Sequence, residues 1–470
     1  MLNQRGREKQ RVLCNAKKEY IWRTLEMSST KTSINIVAVG FMLFALFFGA
    51  GNLIFPPMLG QLSGENVFSA NLGFIVTGVG LPILAVLALA YSGKNDLQSL
   101  ASRVHPFYGI FFTVALYLTI GPFFAIPRTN TVAFEIGVVP FIGEANATLS
   151  LLLFTIVFFG VTLFFSLQAQ RIVDIVGKML TPVLLIAMLI LIVAFFLNPI
   201  GEAQPPTEDY AQYSFFVGFQ EGYLTMDALA AFVFGIIVIN IIKDAGAKTK
   251  REIMSLGWKI AVIAGILLAF IYSSLAYLGA GGVEELGYLD NGGAILSAAS
   301  NFYFGHFGSI ILGIIVVFAC LTTSIGLITS CASYFTKLIP SLSYNKWAVV
   351  FTLVSAVIAN FGLNAIIEFS VPVLSALYPL AMALLVLTFL HPLYQGRKEV
   401  YQFSILLTLI VSVLDGLNAA GINIEALNNL FTTILPWYTI GLGWIVPMLV
   451  GGVIGFIISI FKTPRHQPMV

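Results

Sequence analysis

Residues 40–57 read GFMLFALFFGAGNLIFPP, a long apolar segment interrupted near its middle by Gly49-Ala50-Gly51-Asn52. Within lipid every backbone N–H and C=O needs a partner, and a continuous helix supplies one to each. A glycine in a helix interior costs about 1 kcal/mol relative to alanine. The interruption is tolerable where the freed backbone groups meet a ligand or an ion instead of lipid, which is the sequence form of a discontinuous membrane helix. Pro56-Pro57 reads as the stop that closes this segment.

The rest of the chain fits a membrane setting. Of its 470 residues 58% are hydrophobic and 10% charged, with a mean hydropathy of +0.93; soluble proteins carry about 25% charged residues. A formal net charge of +2 offers nothing to nucleic acid. Cys14, Cys320 and Cys331 lack metal or redox spacing, and Cys320 and Cys331 share one apolar segment as small packing residues. His105, His306, His391 and His466 fall at segment edges or in loops and form no metal cluster or proton relay. His-Glu-x-x-His, Gly-x-Ser-x-Gly and Walker motifs are absent, which disfavours an enzyme, ATP-driven transport and any resident cofactor. The first apolar segment is too long for a signal h-region, and no cleavage site follows it.

A membrane-crossing helix needs about 20 apolar residues. Twelve segments qualify: 34–59, 67–91, 107–126, 148–167, 173–197, 214–242, 256–279, 309–335, 346–361, 366–390, 401–420 and 436–461. With the N-terminus inside, every Lys and Arg except Arg128 falls in an inner segment, as the positive-inside rule requires. Both termini are therefore expected in the cytoplasm. Arg128 is expected in an outer segment, paired with Glu135 or Glu144 or acting as an outer gate.

An odd number of spans per repeat inverts the second copy. The expected organisation is a charged N-terminal extension (1–33), a first repeat of spans 1–5 (34–197), an inverted second repeat of spans 6–10 (214–390), spans 11 and 12 (401–461) and a cytoplasmic tail (462–470). The fold class is an all-α integral membrane protein with broken helices 1 and 6. The second break is Glu221-Gly222-Tyr223-Leu224-Thr225-Met226-Asp227. Short helix patterns at 95–109, capped by Asn95 or Asp96, and at 291–305 precede the third span of each repeat as a matched pair of lids.

The two breaks carry the chemistry. Gly49, Ala50 and Gly51 offer N–H groups at the positive end of a half-helix, where a substrate carboxylate fits, and Asn52 can orient a carboxylate or an ion. The other reading of the glycines is close packing of a neighbouring helix. Around Gly222, Tyr223 and Thr225, freed carbonyls can accept bonds from an ammonium, and Tyr223 and Met226 can line a side-chain pocket. Asp227 is the carboxylate best placed at membrane depth, either as a coupling group or as a structural tie between helices. The adjacent hydroxyls of Thr322 and Thr323 suit a hard cation, or else bond back to carbonyls one turn earlier.

Three runs, LFALFFGAGNLIFPP (43–57), EGYLTMDALAAFVFG (221–235) and FACLTTSIGLITSC (318–331), resemble the bacterial branched-chain amino acid carriers, the leucine/isoleucine/valine–cation symporters. The resemblance extends from about Lys31 to Lys462. The extension before Met27 departs from it. It implies the five-plus-five inverted-repeat fold of the sodium-coupled leucine transporter. It further implies one sodium between spans 1 and 8, held by the carbonyls of Ala45, Phe48 and Ala319 and the hydroxyls of Thr322 and Thr323. The expected function is import of leucine, isoleucine and valine coupled to sodium across the bacterial cytoplasmic membrane. The partners are then a small amino acid, a cation and the lipid bilayer. The alternatives are a proton-coupled carrier for another small apolar amino acid, a channel, or a membrane-embedded enzyme.

Overall fold

The computed structural model describes residues 35–94, 96–142, 147–167 and 181–462. Its first apolar segment is two half-helices, α1 (Ile36–Phe47) and α2 (Ala50–Ser63). α1 ends as Phe48 turns to an extended ψ of 95°, its N–H still bonded to the Phe44 carbonyl at 2.7 Å. The break therefore occupies residues 48–49, just ahead of the predicted 49–52. Pro56 and Pro57 do not stop the helix. α2 continues through them to Ser63 and ends at Gly64, whose φ of +48° suits glycine.

The next helices are α3 (Val67–Ile75) and α4 (Leu81–Ser92), joined by a π turn. The short α5 (Leu97–Ala101) follows, capped by Asp96, whose Oδ1 accepts from the Ser99 N–H at 2.6 Å. α6 (Pro106–Leu118) runs into a π turn that kinks at Gly121 (φ −97°, ψ −123°), and α7 (Ala125–Gly137) carries the chain onward. This corrects the predicted end of the third segment at 126. The polar run Arg128-Thr129-Asn130-Thr131 reads as a loop by hydropathy, yet all four residues are at most 2% exposed. They sit inside the protein, where polar groups meet protein partners instead of lipid.

α8 (Ala147–Ser166) and α9 (Thr181–Leu197) follow; residues 173–180 of the predicted fifth segment lie outside the described residues. α10 (Glu208–Glu221) meets α11 (Asp227–Asp244) at a bend of 47°. After them come α12 (Lys250–Leu286) and α13 (Gly292–Leu338), the latter kinked at Gly305 so that 292–304 forms a separate arm. α14 (Tyr344–Ala359), α15 (Leu363–Leu390), α16 (Lys398–Ala419), a surface helix α17 (Glu425–Ile434) and α18 (Ile445–Phe461) complete the chain. Among the described residues seven helical stretches are long and apolar enough to cross a membrane, or eight if the bent pair counts as one span. α1, α14, α18 and residues 185–197 are apolar but shorter.

Apolar side chains face outward as lipid would require; Leu149, Leu153, Ile156 and Val157 on α8 are all exposed. The interior is built by close backbone approach. A Cβ on Gly60 would lie 1.8 Å from the Ala276 carbonyl oxygen, and one on Gly279 would lie 2.0 Å from that of Pro57. Small residues thus let α2 lie directly on α12. The Ser63 end of α2 is clamped as well. Gln61 donates to the Leu289 carbonyl at 2.8 Å and accepts from its N–H at 3.0 Å.

Candidate functional site between two broken helices

Asn52 organises the site. It lies in the first turn of α2 and is 1% exposed. Gly49 is extended (φ −128°, ψ −160°) and donates its N–H to Asn52 Oδ1 at 2.8 Å. An amide three residues into the helix thus reaches back to close one orphan donor. Asn52 Nδ2 donates to Asp227 Oδ2 at 2.7 Å and also touches the Tyr272 hydroxyl, which donates to the same Oδ2 at 2.6 Å. One carboxylate oxygen therefore joins the first break, the second break and α12.

At the second break Gly222–Thr225 forms a 3-10 turn, and Met226 takes a left-handed conformation (φ 64°, ψ 7°) before α11 begins at Asp227. Thr225 Oγ1 donates to the Gly222 carbonyl at 2.9 Å and accepts from the Asp227 N–H at 3.3 Å. The Met226 N–H bonds to the Tyr223 carbonyl at 3.0 Å. The other two carbonyls are held by Arg128, whose Nη1 donates to Leu224 at 2.7 Å and Nη2 to Thr225 at 3.3 Å. All four carbonyls expected to await an ammonium thus already accept a protein hydrogen bond, so any further donor would use their second lone pairs.

Arg128 is the largest departure from the sequence reading. The sequence places it in an outer segment, with Glu135 or Glu144 as a partner. The kink at Gly121 brings it inside, with its guanidinium 5.0 Å from the Phe55 ring centroid. Glu135 instead accepts from Asn291 Nδ2 at 3.3 Å, and Glu144 lies outside the described residues. A buried guanidinium and a buried carboxylate in one cavity offset each other's desolvation cost.

The residues brought together are Gly49, Ala50, Gly51, Asn52, Thr225, Met226, Asp227 and Thr323, which line one cavity with Arg128. Its volume is about 30 Å³, room for more than one water. Gly222 and Tyr223 lie off this lining; Tyr223 stacks on Tyr378 with ring centroids 4.3 Å apart.

Of the residues implied for sodium, only Thr323 lines the cavity, while Ala45, Phe48, Ala319 and Thr322 do not. Thr322 and Thr323 both donate back to the Ala319 carbonyl, at 2.7 and 3.1 Å. Their oxygen lone pairs remain the groups a cation could use. Thr323 also abuts the first break, since a Cβ on Gly49 would lie 3.1 Å from its methyl carbon.

Two interrupted helices facing each other across a charged, buried cavity define the class: a membrane carrier whose site is assembled from helix ends. Solved structures support the fold. A nucleobase-cation-symport-1 family transporter, Mhp1, in a closed conformation aligns with a TM-score of 0.58 at 14% identity, covering 91% of this chain and 92% of its own. MhsT in complex with L-phenylalanine aligns with a TM-score of 0.51 at 15% identity, covering 90% and 97%. The family model for branched-chain amino acid transport proteins matches residues 32–462. Branched-chain amino acid permease BrnQ of Bacillus subtilis (strain 168) is 55% identical, over 93% of this chain and 99% of its own length. Permease BraB of the same organism is 49% identical, over 92% and 97%. The chain belongs to the branched-chain amino acid transport protein family and is a permease, not an enzyme.

Proposed function

We propose that this protein is a secondary symporter that carries leucine, isoleucine and valine into the cell with sodium. The observation that carries the reading is the Asn52–Asp227 bond, which joins two helix breaks across one cavity. The names of the permeases that resemble this chain supply the substrates. The substrate carboxylate sits at the start of α2, against the N–H groups of Ala50 and Gly51, which have no helical carbonyl one turn back. The apolar side chain lies toward Met226. Sodium binds beside Thr323, and ordering residues 45–49 for the ion lowers the cost of ordering them for the substrate.

Twelve spans with both termini cytoplasmic accommodate the helices. α1 with α2 makes the first span, α10 with α11 the sixth, and α9, α14 and α18 are short spans. The basic residues, grouped on one side, support that orientation. α5 and the arm at 292–304 act as lids while spans 1, 2, 6 and 7 rock against 3, 4, 8 and 9.

The driving force suffices. A zwitterion is neutral, so one sodium carries the charge, worth roughly 2.3 kcal/mol at about 100 mV. A tenfold sodium gradient adds about 1.4 kcal/mol. One-to-one coupling then sustains accumulation of several hundredfold.

A second reading is proton coupling, favoured by the buried Asp227 carboxylate in the cavity wall. Uptake of labelled leucine into proteoliposomes separates the two. An imposed sodium gradient should drive accumulation, whereas equal accumulation from a proton gradient in sodium-free buffer would overturn the sodium assignment.

A further inference from the structure

Arg128 is not consumed by its structural bonds. Nη1 and Nη2 each donate one hydrogen to the end of the 3-10 turn. A guanidinium has five N–H groups, and Nε is buried with no partner. The side chain is 2% exposed and lines the cavity. Its Nη2 also lies against the first turn of α2, because a Cβ on Gly51 would approach it to 2.7 Å. The positive end of α2 and a fixed guanidinium therefore face the same space. An unpaired buried donor is costly, and a like charge held at a helix N-terminus adds to that cost. An anion between them relieves both.

We propose that Arg128 is the charge partner of the substrate carboxylate and makes the site selective for free α-carboxylates over neutral carboxyl derivatives. The inference rests on the carrier reading above and adds to it the residue that reads the substrate's anionic end. The N–H groups of Ala50 and Gly51 orient the carboxylate, and Arg128 supplies the full charge. Asp227, held by Asn52 and Tyr272, brings a negative group to the same cavity for the ammonium. Gly51 has no side chain because the guanidinium occupies that space.

The test compares leucine with leucinamide, which keeps the side chain and amine but lacks the carboxylate, as competitors of labelled leucine binding to the purified full-length protein. Wild type should prefer leucine roughly 10- to 100-fold, the scale of a charge-assisted hydrogen bond. Arg128→Gln should collapse that ratio chiefly by weakening leucine. Arg128→Lys, which keeps the charge without the planar fork, should give an intermediate ratio. A purely structural Arg128 would weaken both ligands by the same factor, and an unchanged ratio in either variant overturns the assignment. Should the variants fail to fold, equal binding of leucine and leucinamide by wild type still refutes the proposal. Wild type that binds no amino acid would overturn the carrier reading beneath it.

Discussion

The two breaks solve one problem by opposite means. The first is made by a short glycine-bearing stretch. Gly49 is extended, its N–H is closed by the chain's own Asn52, and the next helix opens with its positive end toward the cavity. The second is made without a glycine at its turning point. Met226 takes the left-handed conformation itself, and a residue almost a hundred positions earlier, Arg128, caps the carbonyls that the turn frees. The first break therefore turns the start of a helix toward the cavity, while the second has its acceptors already occupied. The comparison teaches that a charged side chain inside a membrane can belong to a helix break as much as to a substrate.

Asn52→Ala should have the largest effect, because it breaks the link between the two regions. It uncaps Gly49 and removes a hydrogen bond to the buried Asp227 carboxylate, a bond class worth about 1.5–3 kcal/mol. Leucine affinity measured by direct binding should fall roughly 10- to 100-fold. Retained affinity would mean that the two breaks act independently.

Gly222→Ala should come next. A Cβ there would lie 1.9 Å from Thr77 Oγ1 and 3.0 Å from both the Gly78 N and the Phe74 carbonyl. Overpacking of this kind costs about 1–3 kcal/mol. A lowered melting temperature in detergent should report it, and Thr77→Ala should rescue it poorly because the backbone contacts remain. Gly49→Ala should be the mildest. Its backbone conformation suits any residue, and its tight contact is the Thr323 methyl at 3.1 Å. Uptake should drop by a few-fold at most, and Thr323→Ser, which removes that methyl and keeps the hydroxyl, should restore it. Failure of the rescue would show that Gly49 serves a role other than proximity to Thr323.

The sequence made much of this legible. Long apolar runs placed most helices, and glycine in an apolar run located the start of the first break to within a residue, although residues 50–52 of the expected break are helical. Asn52 and Asp227 both stand out in the sequence, Asn52 as an amide able to orient a carboxylate or an ion and Asp227 as an ionisable group at membrane depth. That they are each other's partners was beyond sequence reasoning, since 175 residues separate them. Tyr272 sits in an ordinary apolar run and gave no signal. The second break was only loosely bounded because Met226 adopts a conformation that sequence rules reserve for glycine or asparagine. Arg128 was misplaced because a polar run after a proline reads as a loop. The available signal was its isolation as the one basic residue off the inner side. Pro56 and Pro57 misled in the opposite direction, since α2 continues through both.

One segment at the first break is proposed to serve ion and substrate together. Leucine affinity titrated against sodium tests it most directly, in wild type and in a variant carrying Thr322→Val and Thr323→Val. Sodium should tighten leucine binding in wild type, leucine should tighten sodium binding by the same factor, and the double variant should lose this coupling while still binding leucine. Leucine affinity independent of sodium in wild type, or coupling undiminished in the variant, would contradict it.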